Sequence, residues 1–191
     1  MNVSKSKYNV EEMCRTAIFT AVLAVLAQIS IPMAGGVPVT LQTFAVVLSG
    51  IVLGGRGGAM ACIVYLVLGL AGVPVFSGFK GGPGVLFGPT GGFIISFPVM
   101  AYLAGMASDR AVRSMSGGAV FWSKIFLTGL IPGMLFNYAV GAVWFDIVTG
   151  SGITAAVAAC IAPFVINDLI KLTAAGITGI ILRKRLKRSG L

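Results

Sequence analysis

Six apolar runs, separated by short segments that collect the glycines, prolines and charges, dominate this sequence. Hydrophobic residues fill 57% of the 191 positions and charged residues only 10%. That balance belongs to a chain that crosses a membrane several times, not to a soluble domain. In hydrocarbon, backbone N–H and C=O groups must be satisfied inside the protein, which makes continuous apolar runs helices. The expected helices cover about 13–31, 41–53, 59–70, 93–107, 119–145 and 153–182. The fourth should kink at Pro98, the fifth should break at Pro132-Gly133, and the sixth is interrupted at Pro163. The expected architecture is a single all-α integral membrane domain over 1–191, with six spans and both termini cytoplasmic.

The net charge of +9 could suggest a nucleic-acid partner, but its distribution argues otherwise. With six spans, one side holds Lys5, Lys7, Arg15, Arg56, Arg110, Arg113 and the basic residues of 183–188. The other side holds only Lys80, while Lys124 and Lys171 fall within helices. This is the asymmetry of the positive-inside rule, and two basic ends require an even number of spans. The first apolar run begins near Cys14 and is long enough to span, so it is not expected to be a cleaved signal.

Much chemistry is excluded. The chain has no histidine, no paired-carboxylate constellation of a catalytic kind and no GxxxxGK[ST] loop. Histidine-based nucleophilic catalysis and P-loop ATP hydrolysis are therefore out of reach. Cys14, Cys62 and Cys160 lie in apolar segments without metal spacing. A non-enzymatic protein without metal or cofactor is expected.

Against this background, 78–92 (GFKGGPGVLFGPTGG) stands out, with seven glycines and two prolines in fifteen residues. It cannot be a membrane helix, and irregular backbone at a membrane is tolerated only where protein or a cavity satisfies it. It is expected to be an outward-facing loop or lid. Lys80 within it is either a solvated charge or an anchor for an anion, to which the N–H groups of Gly81, Gly82 and Gly84 could add a nest.

Asp168 and Lys171 are the most informative pair. Ionisable groups within a membrane helix face the bundle interior and mark functional sites. At i,i+3 the two share a helix face, and Asn167 adds polarity beside them. An acceptor and a donor in an apolar cavity suit a small ligand with N–H groups and a carbonyl or anionic end. Trp144, Tyr138, Phe145 and Asn137 form either an interfacial aromatic belt or a ligand wall. Ala17 and Ala21, continued by Ala24 and Ala27, make a small-residue strip for close helix contact, inside the bundle or with a partner.

VPVTLQT (37–43), GLAGVPVF (69–76), GPTGG (88–92) and PFVINDLIK (163–171), in this order, resemble the BioY biotin transporters, the substrate-binding S components of energy-coupling factor (ECF) transporters. The resemblance implies a six-helix protein of the bacterial cell membrane that captures biotin from outside and is energised by separate T and ATPase subunits. It implies biotin contacts from Asp168 and Lys171, closed over by the loops after helices one and three. The ligand contacts expected in full are Asp168, Lys171, Lys80, Gly81, Gly82, Gly91, Gln42, Thr90, Tyr138 and Asn167. Ala17 and Ala21 match the strip where S components dock on the T component. Where some members carry asparagine and arginine, this chain has Lys80 and Ile94, so the carboxylate contact falls to Lys80 or Lys171. An S component for riboflavin or thiamin, and a stand-alone ion-coupled carrier using Asp168, are the alternatives.

Overall fold

The computed structural model describes residues 10–33, 36–113 and 118–188. Lys5 and Lys7 of the expected basic lead lie outside the described residues. Among the described residues the chain is a helical bundle with one small strand pair. Helix α1 (Val10–Ala27) leads into β1 (Ser30–Ile31), which pairs antiparallel with β2 (Val39–Thr40). Helix α1 therefore ends sooner than expected. Leu41 N–H extends the strand pairing by donating to Ile29 C=O at 3.2 Å, and Pro32 forbids further helix.

Helix α2 (Gln42–Leu70) is helical throughout except at Gly54, where φ is 79° and ψ is 170°. There the chain reverses. Gln42 Nε2 donates to Tyr65 OH at 2.8 Å, although an unbroken helix would separate residues so far apart in sequence by about 35 Å. The two halves of α2 are thus the arms of a hairpin, and residues 55–58, expected to lie between helices, belong to the second arm. The conformation at Gly54 is one that side chains with a Cβ rarely adopt.

The Gly-rich segment folds as a turn with two short helices, α3 (Pro83–Leu86) and α4 (Gly91–Ile95). Helix α5 (Phe97–Arg113) follows, with the bend at Ser96 and Pro98 in the first turn of α5. Helix α6 (Gly118–Ile125) joins α7 (Ile131–Thr149) through one π-helical turn, Phe126–Leu130. The break expected at Pro132 therefore sits one turn earlier. Proline clashes with the carbonyl four residues before it, and a wider turn relieves that clash. Helix α8 (Ile153–Cys160) and α9 (Val165–Arg188) are separated by a turn containing Pro163, as expected.

Among the described residues, four helical stretches are long and apolar enough to cross a membrane: Gln42–Leu70, Gly91–Arg113, Val120–Thr149 and Val165–Leu186. At one end of the bundle Arg183 joins three elements. Its guanidinium donates to Ile51 C=O at 3.1 Å and Ser108 Oγ at 3.0 Å, and forms an ion pair with Asp109. The α2 reversal lies at this end, since a Cβ on Gly54 would touch the Asp109 carboxylate. The Gly-rich segment lies at the opposite end.

The arms of α2 meet each other and α5 through glycines. A Cβ on Gly105 would overlap Gly55 N and Gly50 O, and one on Gly58 would overlap Gly50 itself. Gly105→Ala is expected to lower stability by about 1–3 kcal/mol through overpacking. Gly176→Ala, whose added methyl would meet Trp122 at an ordinary 3.5 Å, should stay within about 0.5 kcal/mol of wild type. Thermal unfolding in detergent measures both.

Candidate functional site

Beneath the Gly-rich segment lies a cavity of about 300 Å³. Its roof is Lys80, Gly84, Val85, Gly88, Pro89 and Thr90. One wall comes from the strand pair and the start of α2, through Thr40, Gln42 and Thr43. Helix α7 contributes Asn137 and Tyr138, and the α8–α9 region contributes Cys160, Phe164, Asp168 and Lys171. Phe76, Phe93 and Phe97 supply aromatic surface. An apolar enclosure with a few convergent polar groups is the ordinary form of a small-molecule site.

The roof is held from several directions. Phe76 and Lys80 exchange backbone hydrogen bonds of 2.9 and 3.2 Å, closing the turn that carries Lys80. Gln28 of α1 donates to Val75 and Phe76 C=O, both at 3.2 Å, and accepts from Phe79 N–H at 2.8 Å. Trp144 of α7 donates to Gly88 C=O at 3.0 Å.

The polar centre is Asp168 and Lys171. Both are buried, at 4% and 9% exposure, and they form an ion pair. The helix expected over 153–182 would place them far from either end, but the helix that carries them starts only at Val165. Pro163 ends the preceding segment, so Asp168 falls in the first turn of α9, where the helix dipole favours a carboxylate. Its Oδ1 also accepts from Thr43 Oγ1 at 3.1 Å, and its Oδ2 from Tyr138 OH at 2.6 Å. Lys171 Nζ donates to Thr40 C=O at 2.9 Å. The pair therefore connects α9 to β2, α2 and α7.

Gln42 lines the cavity with its amide engaged at both ends: Oε1 accepts from Thr40 Oγ1 at 2.9 Å and Nε2 donates to Tyr65 OH. Tyr65 OH passes the chain on to Val75 C=O at 3.0 Å, beneath the roof. Lys80 lines the cavity yet is exposed, which places its charge at the mouth.

Six of the expected ligand contacts thus meet in one cavity: Asp168, Lys171, Lys80, Gln42, Thr90 and Tyr138. The other four are placed elsewhere. Asn167 is exposed, because one helical step from Asp168 turns about 100° away from the cavity. Gly82 N–H is engaged by Gly69 C=O at 2.7 Å and Gly91 N–H by Gly88 C=O at 3.0 Å. Gly81 packs against the backbone of Gly72 and Val73. A nest built on Gly82 is therefore not available. Sequence reasoning gave no role to Thr43 and left Asn137 open between belt and wall. Thr43 directly follows Gln42 in VPVTLQT, and Asn137 is an uncharged polar residue inside an apolar run. Ala17 and Ala21 are exposed, whereas Phe19, Thr20, Leu23 and Ala27 form the buried face of α1.

Known proteins resemble this chain over nearly its whole length. A sequence model of the BioY family matches residues 1–188. The probable biotin transporter BioY of Pyrococcus horikoshii is 37% identical over 177 residues, covering 93% of this chain and 96% of its own. The biotin transporter BioY of Thermotoga maritima is 38% identical over 173 residues, covering 91% and 96%. The crystal structure of the S-component for biotin from an ECF-type ABC transporter superposes with a TM-score of 0.77 at 26% identity, covering 97% of this chain and 95% of that one.

Removing one member of a buried ion pair costs about 3–5 kcal/mol, whereas replacing both can be nearly neutral. Lys171→Met alone and Asp168→Asn alone should each lower the thermal midpoint of the ligand-free protein. The double variant Asp168→Asn/Lys171→Met should recover most of that loss. Three equal midpoints would contradict the pairing.

Proposed function

This chain belongs to the BioY family, and we propose that it is a biotin-binding membrane subunit that mediates biotin uptake. The observation that carries this reading is the buried Asp168–Lys171 pair on the wall of a roofed, largely apolar cavity. Biotin presents a cyclic urea with two N–H donors and one carbonyl, an apolar ring and chain, and a carboxylate. Asp168 accepts a urea N–H, and Lys171 donates to the carbonyl. Lys80 at the mouth faces the carboxylate, since Ile94 cannot donate. The aromatic walls bury the ring and chain. Charge-assisted hydrogen bonds in a low-dielectric cavity give such a site its strength. Tyr138 holds Asp168 in place, and Thr90 and Gln42 complete the polar lining.

The protein is a multi-pass membrane protein with no catalytic function and no cofactor, as the transporter family implies. Six spans follow if α1, each arm of α2, the α4–α5 stretch, the α6–α7 stretch and α9 each cross the membrane. The chain is then one domain over 1–191. Arg56, Arg110, Arg113 and Arg183 fall toward the cytoplasm of the cell membrane, and the cavity opens outward. The chain carries no nucleotide-binding loop, so separate T and ATPase subunits supply the energy. The exposed Ala17 and Ala21 allow close approach of a T component along α1.

Two measurements test this. Purified protein should bind biotin with a dissociation constant on the order of nanomolar or tighter, weakened at least about 100-fold by Asp168→Asn, the loss of a buried charge-assisted bond. An unchanged titration in that variant would remove Asp168 from the site. In a background lacking Cys14, Phe87→Cys should react with an impermeant maleimide added to intact cells, and Arg110→Cys only after permeabilisation. The opposite labelling pattern would reverse the orientation.

A further inference from the structure

Asn137 is 2% exposed, lies on the cavity wall, and has its side-chain donors already spent. Its Nδ2 donates to Phe93 C=O at 2.9 Å and to Ser96 Oγ at 2.6 Å. Ser96 Oγ sends its own proton to Phe93 C=O at 2.8 Å, so toward Asn137 it can only accept. These two partners fix which way the amide faces. Turned over, Asn137 would set its carbonyl oxygen against two acceptors. The NH2 group therefore faces the Phe93–Ser96 corner, and Oδ1, which takes part in neither bond, faces the other way. Among the described residues Oδ1 is not one of the buried polar atoms that lack a partner, so it is open to the cavity, where a ligand N–H can reach it.

The same inventory applies to its neighbours. An ionised carboxylate offers about four acceptor positions, and Asp168 uses three, on Lys171, Thr43 and Tyr138. An ammonium offers three donors, and Lys171 uses two, on Asp168 and Thr40 C=O. The inner wall thus keeps one acceptor on Asp168, one acceptor on Asn137 and one donor on Lys171. Two acceptors and one donor are the complement of a group with two N–H bonds and one carbonyl.

We infer that Asn137 is a specificity-determining residue whose Oδ1 accepts one N–H of a cyclic urea, while Asp168 accepts the other and Lys171 donates to the urea carbonyl. This rests on the biotin-binding reading above and adds a third recognition point to it. Asn137 rejects ligands that lack the second N–H, because they leave its oxygen buried and unpaired. Ser96 is a positioning residue that holds the amide in its accepting orientation.

The test is a set of calorimetric titrations of wild type and Asn137→Ala with biotin and with biotin methylated at either urea nitrogen. Asn137→Ala should weaken biotin about 10- to 100-fold, the equivalent of one buried hydrogen bond left unmade. One methyl isomer should bind wild type at least about tenfold more weakly than biotin, yet only about threefold more weakly in Asn137→Ala, where no side-chain oxygen is left unpaired by the missing N–H. Equal penalties in the two proteins for both isomers would overturn the inference while leaving biotin binding intact. Failure of biotin to bind wild type would overturn the functional reading itself. If Asn137→Ala does not fold, a structure of wild type with biotin decides the matter. Asn137 Oδ1 within hydrogen-bond distance of a urea nitrogen supports the inference, and a separation beyond about 4 Å overturns it.

Discussion

A carboxylate and an ammonium one helical turn apart, buried in the cavity wall, are what the cavity end of this protein depends on. Asp168 and Lys171 cannot be there for stability alone, since a buried ion pair is often no better than a packed apolar pair. What the pair does is fix geometry. Thr43 and Tyr138 close on the carboxylate and the Thr40 carbonyl closes on the ammonium. The start of α2, the end of the strand pair, α7 and α9 thereby converge on one point. Four elements that hydrocarbon would leave free to slide are held in register by groups that cannot be left unpaired.

The opposite end repeats the device with different residues. Arg183 binds α9 to Ile51 at the α2 reversal and to Ser108 and Asp109 on α5. Between the two polar ends, the bundle closes through glycines, where Gly50, Gly58 and Gly105 bring backbones into direct contact. The cavity is therefore built on a frame clamped at one end and roofed at the other. Its roof is itself tied to α1 by Gln28, to the second arm of α2 by Tyr65 and to α7 by Trp144.

Much of this frame can be read in the sequence because its signals are local. Apolar runs declare helices, Pro163 declares a break, and Gly54–Gly58 declares a reversal. The roof is visible as a glycine anomaly, and Asp168 and Lys171 as charges where none belong. What escapes is whatever depends on helix rotation. Asn167 sits beside Asp168 in sequence but faces outward, while Asn137 and Tyr138 sit in an aromatic cluster that reads equally as a membrane belt. Gly82 and Gly91 look like free backbone donors until their partners, Gly69 and Gly88, are seen. The position of Asp168 in the first turn of α9 likewise depends on where the helix restarts after Pro163.

The central claim is that this cavity holds biotin through the Asp168–Lys171 pair. Mass spectrometry of the small molecule released from protein purified out of biotin-supplied cells tests it most directly. The account predicts biotin at close to one per chain from wild type and none from Asp168→Asn/Lys171→Met. A different molecule from wild type, or biotin retained by the double variant, would contradict it.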